Sequence, residues 1–408
     1  MTIELTDEQS EAMSLATAWY KESNDPVFKI FGYAGTGKTT IAREIEKSVN
    51  GKTQYASFTG KAAHVMKRAG CYNACTIHSL IYKPLGDDTD ETVIALELKI
   101  KEAIETGKET LALALEKDLR RIAEGSSPSF ILNPESRLLG TDDHPAPRLL
   151  VVDEVSMVDE YMAKDLLSFE VPILVLGDPG QLPPIKGQGY FSDDPDYTLR
   201  EIHRQSKGNK ILDLATQART GQPLSIENDA DVQVLSRAEL GRDALYEADQ
   251  ILVGRNATRH DYNARYRVGK WGDDWQECPL PGDKVICRRN NHDRGLFNGS
   301  QWIVTKCEPL SPFHYMMDLK ADGEDGHVLE DVPAHRCRFK GEEVVGTWGR
   351  KKAAEEFEFA YAITVHVSQG SQFDSVVLFD ESSMFRDNAR RWLYTGITRA
   401  AKKLTVVR

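Results

Sequence analysis

Residues 32–39 read Gly-Tyr-Ala-Gly-Thr-Gly-Lys-Thr, the pattern G-x-x-x-x-G-K-[ST], between an apolar β-rich run, Val27–Phe31, and a helical stretch, Thr39–Ser48. This strand–loop–helix context constrains the chain more than any other feature, because such glycines serve a backbone that curls around an anion. Inward N–H groups and a helix N-terminus suit phosphate oxygens. Gly32, Gly35, Thr36, Gly37, Lys38, Thr39 and Thr40 are therefore candidate nucleotide-binding residues. Lys38 is the cation for the terminal phosphates, and the Thr39 hydroxyl is a Mg²⁺ ligand.

Gln54–Phe58, Leu149–Val152 and Ile173–Leu176 are further continuous apolar runs, and they alternate with the helical stretches Lys61–Ala69 and Glu160–Leu167. That rhythm predicts an open α/β sheet of parallel strands buried on both faces. It breaks between Lys83 and about Pro128, where Thr92–Ala123 has helical composition. Asp87–Glu124 holds 11 acidic against 6 basic residues, which reads either as a solvated helical insertion or as an accessory subdomain with a binding role. A second α/β region begins near Thr198, with strands at Gln250–Val253 and Val376–Phe379 and helices at Lys210–Thr220, Ala257–Val268 and Asn388–Ala401. Between Cys278 and Gly346 the short runs Val285–Cys287, Gln301–Thr305 and Met316–Leu319 predict a small β-barrel inserted in that region.

A chain of 408 residues exceeds one hydrophobic core, so at least two domains are expected. Its 51 basic and 63 acidic side chains give a net charge of −12, which argues against a basic nucleic-acid-coating protein. A local basic groove on an acidic body stays open. No apolar run approaches the ~20 residues of a membrane span, and the acidic N-terminus lacks the plan of a signal peptide. Six cysteines, with no paired C-x-x-C, predict neither a disulfide scaffold nor a zinc site. The expectation is a soluble, reduced, cytoplasmic protein without a membrane partner.

Two polar strand ends complete the candidate chemistry. Leu149–Val152 runs into Asp153-Glu154, and Ile173–Leu176 runs into Gly177-Asp-Pro-Gly-Gln181. Ligands bind at the carboxyl ends of parallel strands. Asp153 is the second Mg²⁺ ligand, Glu154 the base that orients and deprotonates water, and Gln181 a reporter of the γ-phosphate.

The order of motifs resembles superfamily 1 helicases, specifically the RecD-like and Dda-like 1B group, which includes phage-type enzymes. The resemblance is carried by Leu5–Gln9, the phosphate loop, Phe58–Ala63, Thr76–Ser79, Asp153–Met157, Gly177–Gln181, Glu201–Gln205, Val365–Gly370 and Tyr394–Ala400. It implies two tandem RecA-like domains, 1A (residues 1–82 and 128–197) and 2A (198–277 and 347–408), with ATP and Mg²⁺ between them. It also implies a 1B insertion (83–127) and a 2B β-barrel insertion (278–346). Relatives carry a strand-splitting β-hairpin in 1B, whereas this insertion reads mainly as helix. Gln9 would read adenine, and Arg204 and Arg399 would place guanidiniums on the transferring phosphoryl group. His203 would stack on adenine or simply pack, and Gly370 would line the nucleotide. DNA contacts would come from Thr59, Gly60, Lys61, Thr76 and His78, and from His366, Ser368 and Gln369. Arg288 and Arg289, in the basic cluster Lys284–Arg294, add either phosphate contacts or a solvated loop, and Trp302, Phe297 and Trp348 either stack on bases or fill the barrel.

The implied activity is ATP-driven 5′→3′ movement on single-stranded DNA with duplex unwinding. Its partners would be single strands, junctions, and a single-strand-binding, replication or recombination protein. The rivals are a translocase with little unwinding, a nucleotide-gated binding module and a small-molecule kinase.

Overall fold

In the computed structural model the described residues are 5–84, 89–124, 130–140, 144–183, 189–201, 208–272, 278–289, 291, 294–296, 298–322, 327–345 and 353–408. The chain divides into two compact units, Met1–Lys207 and Gly208–Arg408.

In the first unit the strands are β1 (Val27–Gly32), β2 (Thr53–Ser57), β3 (Cys75–Thr76), β4 (Tyr82–Pro84), β5 (Phe130–Leu132), β6 (Leu149–Asp153), β7 (Ile173–Gly177) and β8 (Tyr197–Leu199). Six of them form one sheet in the order β3-β2-β6-β7-β1-β8. Every pairing in it is parallel. Successive side chains of a strand point to opposite faces. Accordingly Leu150, Val152, Ile173 and Val175 enter one core cluster, and Leu149, Val151, Leu174 and Leu176 enter another. Burial on both faces explains why these strands read as unbroken apolar runs rather than alternating ones.

Helices Thr89–Glu105 and Glu109–Ala123 stand between β4 and β5, which pair antiparallel through Tyr82–Leu132, Lys83–Ile131 and Pro84–Phe130. Leu96, Ile100, Ala103, Leu111 and Leu115 join the cluster of Leu150 and Val152, so one apolar face of the helix pair is anchored in the sheet's own core. The buried Asp118 accepts from the Leu132 N–H at 2.8 Å and pairs with Arg121 at 3.0 Å, tying helix to ladder. The β4–β5 ladder has no counterpart in the sequence reading, because three-residue strands are too short to show a period.

The second unit contains β9 (Val232–Leu235), β10 (Gln250–Val253), β11 (Lys284–Cys287), β12 (Gln301–Pro309), β13 (His314–Ala321), β14 (Val328–His335), β15 (Phe357–Phe359), β16 (Ala362–Thr364), β17 (Phe373–Phe379) and β18 (Ala400–Val407). A parallel sheet runs β16-β10-β17-β18-β9, and an antiparallel sheet runs β14-β13-β12-β11-β15. A bridge between Ala334 and Glu355 links the two ends of the antiparallel sheet. Its interior holds Val285, Trp302, Val304, Met317, Val332 and Phe357. Trp302 therefore fills the core, its indole N–H donating to Ser300 Oγ at 2.9 Å. Phe297 and Trp348 lie outside the described residues.

One expected element is corrected. The helix anticipated over Asn388–Ala401 ends at Ile397, and Ala400–Val407 is a strand between β17 and β9. Leu404, Val406 and Val407 are buried in the sheet, and that tertiary pairing overrides the helical start of the segment.

A fully buried ion pair holds the antiparallel sheet to helix Asn256–Trp271. Arg267 Nη2 lies 2.9 Å from Asp283 Oδ2, with side-chain exposures of 1% and 0%. Asp283 also accepts from Trp271 Nε1 at 3.1 Å, the Tyr361 hydroxyl at 2.9 Å and the Leu280 N–H at 2.8 Å. Removing one partner of such a pair strands the other charge out of water. Asp283→Ala is expected to lower unfolding stability by about 3–5 kcal/mol, measured by urea denaturation against the wild type; a loss under about 1 kcal/mol, the range of exposed pairs, would refute the assignment.

Candidate nucleotide and nucleic-acid sites

Parallel pairing puts the carboxyl ends of β3, β2, β6, β7 and β1 on one edge of the first sheet. Each of the first unit's described candidates, Gln9 excepted, leaves from that edge. The phosphate loop follows β1, Thr59–Lys61 follows β2, Thr76–His78 follows β3, Asp153-Glu154 ends β6, and Gln181 follows β7.

The loop is shaped by its small residues. Gly35 and Gly37 adopt φ of +82° and +80°, which side chains disfavour. A Cβ on Gly32 would meet Thr36 Oγ1 at 2.4 Å, and one on Gly37 would meet Gln9 Nε2 at 2.6 Å. Helix Lys38–Glu46 begins at Gly37 with no side-chain cap, leaving its first N–H groups for an anion. Lys38 Nζ donates to the Gly32 carbonyl at 2.6 Å and the Tyr33 carbonyl at 3.2 Å, which holds the ammonium over the loop.

Gln9 is placed beside this loop, with both ends of its amide engaged. Oε1 accepts from the Thr6 N–H at 3.0 Å, completing a capping box on helix Asp7–Glu22, and Nε2 donates to the Thr36 carbonyl at 2.9 Å. It braces the first helix against the phosphate loop, a role that Thr6-x-x-Gln9 signals as a capping pattern.

Burial and the adjacent Glu154 charge push the Asp153 carboxyl up to about 6, against the pull of Lys38, the Glu154 N–H and the Thr39 hydroxyl. Thr39 and Asp153 thus present a hydroxyl and a carboxylate side by side, an oxygen donor set that suits a hard cation. Among the described residues no group of three or more His, Cys, Asp or Glu is arranged to hold a metal by itself. Such a site keeps room for phosphate and water ligands. Glu154 sits at φ 56° and ψ 44°, in the left-handed region, and its Oε1 accepts from Gln181 Nε2 at 3.4 Å. Among the described residues the buried Gln181 Oε1 has no hydrogen-bond partner.

The nucleic-acid candidates of the first unit are also cap residues. Thr59 Oγ1 accepts from the Ala62 N–H at 3.1 Å, starting helix Gly60–Arg68 with Lys61 in its first turn. Thr76 Oγ1 accepts from the Ser79 N–H at 3.1 Å, starting helix Ile77–Ile81. The His78 ring lies edge-on to Phe58 at 5.9 Å. The Thr40 side chain follows in the first turn of helix Lys38–Glu46.

In the second unit, Val365–Gly370 follows β16. Ser368 is fully buried and its hydroxyl donates to the Val365 carbonyl at 2.8 Å, Gln369 is buried, and Gly370 has φ +70°. His366 is half-buried, and desolvation lowers its pKa. Arg399 is 5% exposed, with Nε donating to Thr395 O, Nη1 to Ser371 O and Nη2 to Thr398 Oγ1 at 3.1–3.2 Å. Arg288 and Arg289 are paired rather than free. Arg288 lies 3.6 Å from Glu358, and Arg289 lies 3.5 Å from Glu356 and 3.7 Å from Glu355. The sequence reading of Arg288 and Arg289, as either phosphate contacts or a solvated loop, does not see the acidic residues of Glu355–Glu358, 66 to 70 positions downstream, because a local charge count does not reach that far. His203 and Arg204 lie outside the described residues.

The sequence reading also passes over Glu381. Its carboxylate accepts from the N–H groups of Gly254 (2.7 Å) and Arg255 (3.1 Å), from Arg255 Nε (3.0 Å) and from Thr258 Oγ1 (2.7 Å), fixing the turn after β10. No spacing signal links Glu381 to that turn.

The phosphate loop, the acidic strand end and the glutamine beside it have the layout of a P-loop nucleotide-binding site. A family model described as AAA domain matches residues 4–239, and one described as UvrD-like helicase C-terminal domain matches residues 359–407. The ATP-dependent RecD2 DNA helicase of Deinococcus radiodurans is 28% identical over 284 residues, 63% of this chain and 36% of that protein. The chain thus spans about a third of that relative's length. The Pif1 helicase structures from Candida albicans (TM-score 0.51, 17% identical, covering 100% of this chain and 95% of that one) and from Bacteroides with ADP-AlF3 and single-stranded DNA (TM-score 0.50, 17% identical, 99% and 92%) share the fold. The chain belongs to the family whose model is described as AAA domain, its C-terminal segment matches the UvrD-like helicase C-terminal domain, and it has the fold of tandem RecA-like domains.

The backbone of Glu154 yields a test that separates chemistry from stability. Glycine removes left-handed strain of about 1–2 kcal/mol. Glu154→Gly is therefore expected to raise the thermal midpoint while lowering ATP hydrolysis by about 100-fold or more, the scale expected if Glu154 is the general base it is proposed to be. A variant that melts lower, or hydrolyses ATP at the wild-type rate, would refute the placement.

Proposed function

We propose that this protein is an ATP-dependent DNA helicase that moves 5′→3′ along single-stranded DNA and couples hydrolysis to duplex unwinding. The observation that carries the reading is the convergence of Lys38, Asp153, Glu154 and Gln181 on one sheet edge, in a chain of the AAA-domain family that is similar to RecD2 and Pif1 helicases. The named activities of the Deinococcus relative and the Bacteroides neighbour support ATP and single-stranded DNA as its ligands.

The residues assign the steps. Loop N–H groups and Lys38 hold the phosphates. Thr39 and Asp153 would hold Mg²⁺, which when bound would supply charge neutralisation at the phosphates. Glu154 takes the proton of the attacking water, and Gln181, hydrogen-bonded to Glu154, couples that base to the γ-phosphate position. Arg399 and Arg204 are the guanidiniums proposed to stabilise the transferring group. Thr59–Lys61, Thr76–His78 and His366–Gln369 are the proposed track for the strand, through hydroxyl, amide and backbone contacts that read no sequence.

A second reading, a translocase with little unwinding alone, is favoured by one observation. Residues 89–123 form an acidic helix pair on a ladder of three residue pairs, not a long β-hairpin.

Steady-state ATP hydrolysis with and without oligothymidylate tests the proposal. Strong stimulation is expected in the wild type and none in Lys38→Ala. Hydrolysis indifferent to DNA would sink the motor reading. Displacement of a labelled strand from forks with either 5′ or 3′ tails then decides between unwinding and bare translocation, and a preference for the 3′ tail would overturn the polarity.

A further inference from the structure

We propose that the loop Ser382–Asn388 is an additional contact for single-stranded nucleic acid, with Arg386 as its cation and Met384 as its apolar surface. The inference rests on the DNA-motor reading and adds residues to it.

The loop follows β17, so parallel pairing with β10 places it on the same edge as the turn at Gly254–Arg255, and Val365–Gly370 follows β16 on that edge too. Two anchors lock it to both neighbours. Glu381 takes four hydrogen bonds from Gly254, Arg255 and Thr258. Phe385 lies between the His366 ring, 5.3 Å away, and the Trp392 ring, stacked at 5.2 Å and 10°. Trp392 is itself fully buried.

Between these anchors the backbone is forced into an unusual shape. Arg386 has φ 46° and ψ −116°, a combination that favours glycine. A non-glycine residue persists there only where its surroundings over-determine it, and such residues cluster at functional sites. Any simple turn would be better served by glycine, so the side chain itself is the feature to explain. Among the described residues the exposed Arg386 side chain has no hydrogen-bond or ion-pair partner. Met384, two positions earlier, is 58% exposed. This contrasts with Arg288, Arg289 and Arg399, whose guanidiniums are committed within the unit. A free guanidinium and an exposed thioether on either side of Phe385, whose ring lies 5.3 Å from that of His366, match the two surfaces of a single strand, its phosphates and its base faces.

Fluorescence anisotropy of fluorescein-labelled oligothymidylate, titrated with the full chain over a series of NaCl concentrations, tests this. Arg386→Gly is expected to melt at a higher temperature than the wild type, because strain is relieved, yet to bind about three- to tenfold more weakly. The slope of log affinity against log salt should fall by about 0.7, one phosphate contact. Arg386→Lys should keep the wild-type slope, and Met384→Ala should weaken binding without changing it. Unchanged affinity and slope in Arg386→Gly would overturn the inference, and would leave the loop to a protein partner or to structure alone. Absence of binding by the wild type would instead overturn the DNA-motor reading, and this inference with it.

Discussion

Parallel hydrogen bonding between β1 and β7, β7 and β6, and β6 and β2 is the constraint on which the first unit depends. In a parallel sheet all strands point the same way, so each chain return must be a crossover, usually helical, and the polar strand ends collect on one edge. The phosphate loop, Asp153-Glu154 and Gln181 are brought together by that geometry although they span residues 32 to 181. The sheet interior is apolar on both faces, which makes the edge a rigid rim rather than a set of loose loops.

On that rim, local conformations are held away from their intrinsic preferences. Gly35 and Gly37 supply positive φ at little steric cost, whereas Glu154 adopts it with a full side chain. The hydrogen bond from Gln181 and the packing after β6 keep Glu154 in place. Asp153 is raised by the same enclosure, a strain that a bound cation would relieve. Strain and desolvation meet at the two carboxylates proposed to serve the chemistry, as expected where a fold gives up stability for preorganisation.

The second unit repeats the logic with different means. Its parallel sheet collects the turns after β10, β16 and β17 on one edge. Glu381 and the stack of His366, Phe385 and Trp392 fasten those turns together. The antiparallel sheet is held through Arg267 and Asp283, a buried pair satisfied by Trp271, Tyr361 and backbone groups. Arg288 and Arg289 of its basic cluster, by contrast, face Glu355, Glu356 and Glu358, and Lys284 pairs with Asp322.

The sequence by itself determined the phosphate loop, the acidic strand end, the parallel α/β class and the helical nature of residues 92–123. Each of these is written in short-range pattern: a glycine spacing, an unbroken apolar run, a helical composition. It failed at Ala400–Val407, where pairing with β17 and β9 outweighs local preference. It was silent on side-chain commitments. Only the tertiary structure decided that Thr59 and Thr76 cap helices, that Gln9 braces the phosphate loop, and that Arg288 and Arg289 face carboxylates. Only there does Arg386 emerge as a free cation in a glycine-like conformation. The physical reason is range. Backbone patterning is set by neighbours within a few residues, whereas the partner of a charge or a ring is chosen by contacts between segments up to more than a hundred residues apart, as Glu381 and Arg255 are.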